Sequence, residues 1–181
     1  DTIALDLPGH GASSKHITDG SLSGQAAILA RFIDALNLGQ VDIIAHSMGG
    51  GVALALAQAH PDSVGAMILI APMGLGNAIN GTYLTAFTAA EKQRDISKAL
   101  TELFADPGPV SRQMSGEIQR YKRVDGLREA LEAISAAIAP NGAQAVDLSS
   151  VLTSHSGKVA VIWGEADRII PADQAPTGLS T

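Results

Sequence analysis

Val41-Asp42-Ile43-Ile44-Ala45-His46-Ser47-Met48-Gly49-Gly50-Gly51 is the stretch on which the rest of the chain turns. A short apolar run enters a serine, and residues 49–60, rich in Gly, Ala and Leu, continue as a helical pattern stopped by Pro61. A serine at such a strand–turn–helix corner stands on a sharp turn with its hydroxyl exposed above the sheet. The turn asks for small neighbours two residues to either side. Gly49 meets that demand, and Ala45 meets it with one methyl group more than glycine. The backbone N–H of Met48 opens the helix and is placed for the oxyanion that forms when Ser47 attacks a carbonyl. His46 completes the corner. A plainer reading makes Ser47 a helix N-cap and the glycines packing aids. The strand before it and the helix after it favour the nucleophile.

Working outward, residues 2–7 read as a buried strand closed by Pro8-Gly9. Residues 22–36 carry Ala26, Leu29, Ile33 and Leu36 at helical spacing, with Gly39 just beyond. Apolar runs at 41–45, 67–71 and 159–163 are the other strands. Strands alternating with helices predict an α/β fold, a mostly parallel sheet with helices on both faces. Between 73 and 146 the rhythm breaks. Only helical patterns occur there, at 83–90, 96–104, 112–122 and 126–138, punctuated by Asp106-Pro107-Gly108-Pro109 and Pro140-Asn141-Gly142. Such an insertion is expected to cap the carboxyl ends of the strands, where ligands bind in parallel sheets. The expected division is core 1–72, helical cap 73–146 and core 147–181.

Val159-Ala160-Val161-Ile162-Trp163-Gly164-Glu165-Ala166-Asp167 supplies the partner acid. In a Ser…Asp…His order, the acid follows a late strand and orients the histidine. Asp167 is in that place, with Glu165 as the weaker alternative. Taken alone, an aspartate there is a turn residue bonding local backbone. His10, in Asp6-Leu7-Pro8-Gly9-His10-Gly11-Ala12-Ser13, is expected to hold its loop by hydrogen bonds. His16, His46, His60 and His155 show no metal-ligand spacing, so no metal is expected.

Composition narrows the partners. Hydrophobic residues make up 46% and aromatics only 3%, so the core must be built from Ala, Leu, Ile and Val. The net charge of -6 argues against nucleic acid and anionic membranes as partners. There is no cysteine, which removes disulfides, thiolate metal sites and a cysteine nucleophile together. No apolar run reaches the ~20 residues of a membrane span, and no secretory signal opens the chain. A cytoplasmic setting is expected. The chain opens directly on the strand pattern of residues 2–7, and truncation is expected on that ground.

These motifs together resemble the α/β-hydrolase fold superfamily. Within the insertion, Gly74-Leu75-Gly76-Asn77-Ala78-Ile79-Asn80-Gly81-Thr82-Tyr83-Leu84 and Arg120-Tyr121-Lys122-Arg123 resemble the hydrolase-like domain of the dihydrolipoamide acetyltransferase component of acetoin dehydrogenase complexes. The resemblance implies acetyl transfer to a dihydrolipoyl thiol, a lipoyl group on the full-length parent, other components of a dehydrogenase complex as partners, and a small acyl ester or thioester as substrate. No cofactor is expected on this chain itself. The resemblance also implies strands and a His-Gly loop before Asp1, a strand between residues 2–7 and 41–45 in the sheet, and a catalytic histidine after Thr181. Without that histidine the isolated chain is expected to be inactive. Two other functions stand beside acyl transfer: a carboxylic-ester or thioester hydrolase, and a non-catalytic binding module on the same fold.

Overall fold

A computed structural model describes residues 1–177. Ser21 caps the first helix, α1 (Leu22–Ala35), its side chain accepting the Gly24 N–H at 3.0 Å. This satisfies one of the donors that a helix start leaves unpaired. Leu22, Gln25, Ala26, Ala30 and Ile33 form the buried stripe of α1. Strand β1 (Val41–His46) leads through Ser47 into α2 (Met48–Ala59), and β2 (Val64–Ile70) follows. Four longer helices then intervene: α3 (Gly81–Ala89), α4 (Gln93–Thr101), α5 (Arg112–Tyr121) and α6 (Leu127–Ile138). The short α7 (Val151–Ser154) precedes β3 (Val159–Ile162).

The three strands form one parallel sheet in the order β1-β2-β3, with His46 opposite Ile70 and Ile70 opposite Ile162. All three therefore end at the same level. The alternation along each strand puts Ala45, Met67, Leu69 and Val161 toward the core with α1 and α2. Eight of the twelve α2 residues are buried, because Ala, Gly, Val and Leu occupy its whole circumference. Leu54, Leu56, Met67 and Leu69 are almost entirely inaccessible. Each such side chain contributes on the order of 1.5–3 kcal/mol by leaving water. The opposite face of the sheet shows Ile44, Ile68, Ile70 and Ile162 to solvent among the described residues.

Residues 2–7 depart from expectation. Residues 2–6 are exposed, Leu7 is half-buried against the core, and none of them forms a strand. A strand exists only through its ladder of inter-strand hydrogen bonds, and none of the three strands lies beside this segment. The loop after it is nevertheless ordered by side chains. The Asp6 carboxylate accepts the Ala12 N–H at 2.9 Å, and the Lys15 ammonium donates to the Gly11 carbonyl at 2.7 Å. Strand β2 also begins earlier than the apolar run at 67–71 suggested. Asp42 explains this, its carboxylate accepting the Ala66 N–H at 2.7 Å and holding Gly65-Ala66 beside β1.

Candidate active site

Ser47 joins β1 to α2 with φ 53 and ψ −122. A non-glycine residue in that region costs on the order of 1–3 kcal/mol, and it persists only where its surroundings over-determine it. They do here. The Ser47 N–H donates to the Ile70 carbonyl at 2.9 Å, which ties the turn to the end of β2. The Ser47 carbonyl accepts from Gly50 at 3.0 Å, Gly51 at 3.2 Å and Met73 at 3.0 Å. A second strained residue lies alongside: Ala71, at the end of β2, has φ 42 and donates to the Ile162 carbonyl at 2.8 Å.

The small-residue requirement falls differently from the sequence expectation. A methyl group added at Gly49 would stand 3.9 Å from the Ala45 Cβ, an ordinary contact. The extra methyl at Ala45 is thus accommodated. Gly50 is the tight position: a Cβ there would come within 2.5 Å of Pro72 Cβ and 2.9 Å of Pro72 Cα. The N–H of Met48 is one of the helix-start donors with no intrahelical acceptor, and it sits directly after the serine.

Asp167 lies in the loop after β3 and is partly buried. Its Oδ1 accepts the N–H groups of Ile169 at 2.8 Å and Ile170 at 3.0 Å. The local-turn role is therefore real, and it uses one of two carboxylate oxygens. Ser47 follows β1 directly and Asp167 lies five residues past the end of β3, with β2 between the two strands in the sheet. Glu165 is exposed.

Among the described residues, no histidine hydrogen-bonds Ser47. The His155 Nε2–H donates to the Gly65 carbonyl at 2.7 Å, at the start of β2. That is five residues from Ile70, or ~16 Å along the strand. His60 caps the far end of α2, ~18 Å along the helix axis. His46 points to the exposed sheet face with Ile44. The His10 Nδ1 lies 3.2 Å from the Pro8 carbonyl and His16 is exposed. No group of three His, Asp or Glu among the described residues is arranged to hold a metal. No helix among them is long and apolar enough to cross a membrane.

The inserted helices 73–146 also enclose clefts of their own. Two of these clefts lie away from Ser47. One, of about 1160 Å³, opens between α3, α6 and the 139–142 turn, and the other, of about 440 Å³, lies among α3, α5 and α6. The inserted helices open these spaces between themselves because their stems are tied down close to the sheet. Ala78 and Ala143 form an antiparallel bridge. The buried Gln144 accepts the Gly74 N–H at 2.7 Å and donates to the Ala78 carbonyl and to Gln174 Oε1, both at 2.9 Å. Asn80 donates from its backbone to Ile169 at 2.8 Å and from Nδ2 to Arg168 at 3.1 Å. These ties join the insertion to the loop that carries Asp167. Sequence reasoning missed Gln144 and Asn80. The one signal was an amide in the otherwise small and apolar run Gly142-Ala143-Gln144-Ala145-Val146.

The family model described as the alpha/beta hydrolase fold matches residues 1–179. The chain belongs to the α/β-hydrolase fold family. Within it, the chain is 41% identical over 179 residues to the dihydrolipoyllysine-residue acetyltransferase component of the acetoin cleaving system of Cupriavidus necator, covering 97% of this chain and 48% of that protein. It is 43% identical over 176 residues to the protein of that name from Pseudomonas putida, covering 97% and 47%. The chain thus spans about half the length of these curated relatives. A meta-cleavage product hydrolase from Pseudomonas fluorescens superposes with a TM-score of 0.80 at 18% identity, covering 93% of this chain and 63% of that one. This α/β-hydrolase fold chain therefore has both acyltransferase-named and hydrolase-named relatives.

Proposed function

We propose that the protein transfers an acyl group through Ser47, and that the group is acetyl and its acceptor a dihydrolipoyl thiol. The carrying observation is the backbone of Ser47, forced to positive φ and clamped by four hydrogen bonds at the carboxyl end of the sheet. Strain maintained at such a point serves presentation of the hydroxyl, since packing alone would have relaxed it. The identities of 41% and 43% to acetyltransferase components of acetoin cleaving systems support the choice of acceptor.

In this reading a histidine base takes the Ser47 proton as the oxygen attacks a thioester or ester carbonyl. The Met48 N–H stabilises the oxyanion, and collapse of the tetrahedral intermediate expels the thiol or alcohol, which receives the histidine's proton. Asp167 Oδ2 steadies the imidazolium while Oδ1 keeps its loop folded. The acceptor thiol then attacks the acyl-serine, returning its proton through the same base. The insertion acts as the cap, with Asn80 and Gln144 setting it against the acid loop. Other components of an acetoin-cleaving system are the partners, and the setting is cytoplasmic.

The test is acylation of the full-length protein with p-nitrophenyl acetate, followed by peptide mass spectrometry and partitioning of the acetyl group. Acetyl on Ser47 that passes to dihydrolipoamide faster than to water supports transfer. Acetyl on Ser47 that passes only to water selects the hydrolase reading, toward which the meta-cleavage hydrolase neighbour points. No acetylation of Ser47 refutes both.

A further inference from the structure

The insertion carries eight of the chain's twelve Lys and Arg and eight of its eighteen Asp and Glu, so it is neutral while the remainder holds the whole -6. Four of those cations, Lys92, Lys122, Arg123 and Arg128, line the cleft of about 440 Å³. Glu91 is the one carboxylate among the residues lining it. Arg128 is already engaged, donating to Glu91 at 2.8 Å and to Glu132 at 3.0 Å. Lys92, Lys122 and Arg123 have no carboxylate partner among the ion pairs of the described residues.

Helix stability does not account for this gathering. Lys92 stands at the N-cap of α4 and Arg128 in the first turn of α6. A helix N-terminus is the end that repels a cation. Asp95 and Glu129 are the residues in those turns that the dipole favours. Lys122 and Arg123, just past α5, are at a favourable end, yet Lys122 turns back to α3. Its ammonium donates to the Phe87 carbonyl at 2.7 Å and the Thr88 carbonyl at 3.1 Å, and lies 4.7 Å from the Phe87 ring centroid. Burial, reinforced by Arg128 and opposed by Glu91 and Glu132, holds that ammonium below the usual lysine range. An anion in the cleft would offset this crowding of positive charge. Leu131 gives the cleft an apolar wall, and its volume falls within the ~300–1,000 Å³ of small-molecule sites.

We infer that this cleft binds a small phosphorylated compound whose diphosphate or equivalent polyanion is held by Lys92, Lys122 and Arg123. Three unpaired cations match two or more negative charges, which a single carboxylate does not supply. The site is separate from Ser47 and does not depend on the acyl-transfer reading.

Inorganic pyrophosphate is the probe, titrated calorimetrically into the full-length protein at physiological ionic strength. Pyrophosphate should bind, and K92Q/R123Q should weaken it by about tenfold or more with unchanged circular dichroism. Neither residue makes a side-chain bond that the fold needs, so this pair avoids the risk that Lys122 substitution unties α3. K158Q, away from the insertion, should leave binding unchanged. No pyrophosphate binding, equal binding by K92Q/R123Q, an equal loss in K158Q, or equal binding of succinate would each overturn the inference.

Discussion

Gly50→Ala should destabilise the protein, while Gly49→Ala should not, although Gly49 is the glycine that the nucleophile-elbow pattern specifies. At Gly50 the new methyl would lie 2.5 Å from Pro72 Cβ and 2.9 Å from Pro72 Cα. Carbon atoms at rest stand ~3.5–4.0 Å apart, so helix and turn must separate by about 1 Å. The turn has little freedom to yield. Ala71 is bonded to Ile162 and Met73 to the Ser47 carbonyl, and the obstacle is a proline ring with its backbone. The upper part of the overpacking range, ~3 kcal/mol, applies. Replacing a helical glycine by alanine returns ~1 kcal/mol, which leaves a net loss of about 2 kcal/mol. At Gly49 the new methyl meets only Ala45 at 3.9 Å, so the propensity gain of up to ~1 kcal/mol stands alone. The two variants should thus differ by about 3 kcal/mol in urea denaturation of the full-length protein followed by circular dichroism. Equal stabilities, or a larger loss in Gly49→Ala, would show that the clamp between α2 and Pro72 is not what fixes the elbow.

Other outcomes follow from the site and the insertion. Asp167→Asn keeps an oxygen for the Ile169 and Ile170 N–H groups, so it should retain the melting temperature while acyl turnover falls by ~10⁴; a loss of stability without loss of turnover would return Asp167 to a purely structural role. His155→Ala should break the tie to Gly65 and lower stability with the pH–rate profile unchanged, and a lost basic limb in that profile would contradict the placement. The Tyr83 phenol is pushed up to about 12 by burial, from an ordinary 10.0. Its contribution to stability is complete below pH 10 and is lost as the pH rises toward 12, because the unfolded phenol ionises first. Denaturation midpoints measured across that window should fall less steeply in Tyr83→Phe than in the parent, and parallel slopes would refute the assignment.

Much of this fold was legible because its elements announce themselves locally. Apolar runs became β1, β2 and β3, the last two stopped by Pro72 and Gly164, and the corner at Ser47 was readable from its small neighbours. What stayed hidden depends on residues distant in the chain. Residues 2–7 look like a strand in composition, but a strand is made by its neighbour, and pattern alone does not supply one. The elbow pattern points to Gly49, and only the approach of Pro72 shows that Gly50 is the crowded glycine. Asp167 stood out by its place after a late strand, while the ties of Gln144 and Asn80 to segments 30 to 88 residues away could not be read from their neighbours in sequence. The strand–turn–helix corner at Ser47 and the loop after β3 were visible, and the framework that sets the insertion against that loop was not.

That framework constrains how the molecule can move. A lid that swings as one body needs two slack strands at its base. Here both are fastened, by the Ala78–Ala143 bridge, by Gln144 across three segments, and by Asn80 to Arg168 and Ile169. The outer helices α4 and α5 share a small separate core around Ala90, Ile96 and Leu100. Opening therefore belongs to the distal half, which can breathe as its own cooperative unit while the stems hold still. Amide exchange should be fast in α4 and α5 and slow at residues 74–80 and 143–145, so that a ligand enters past a loosening rim and leaves the acid loop undisturbed.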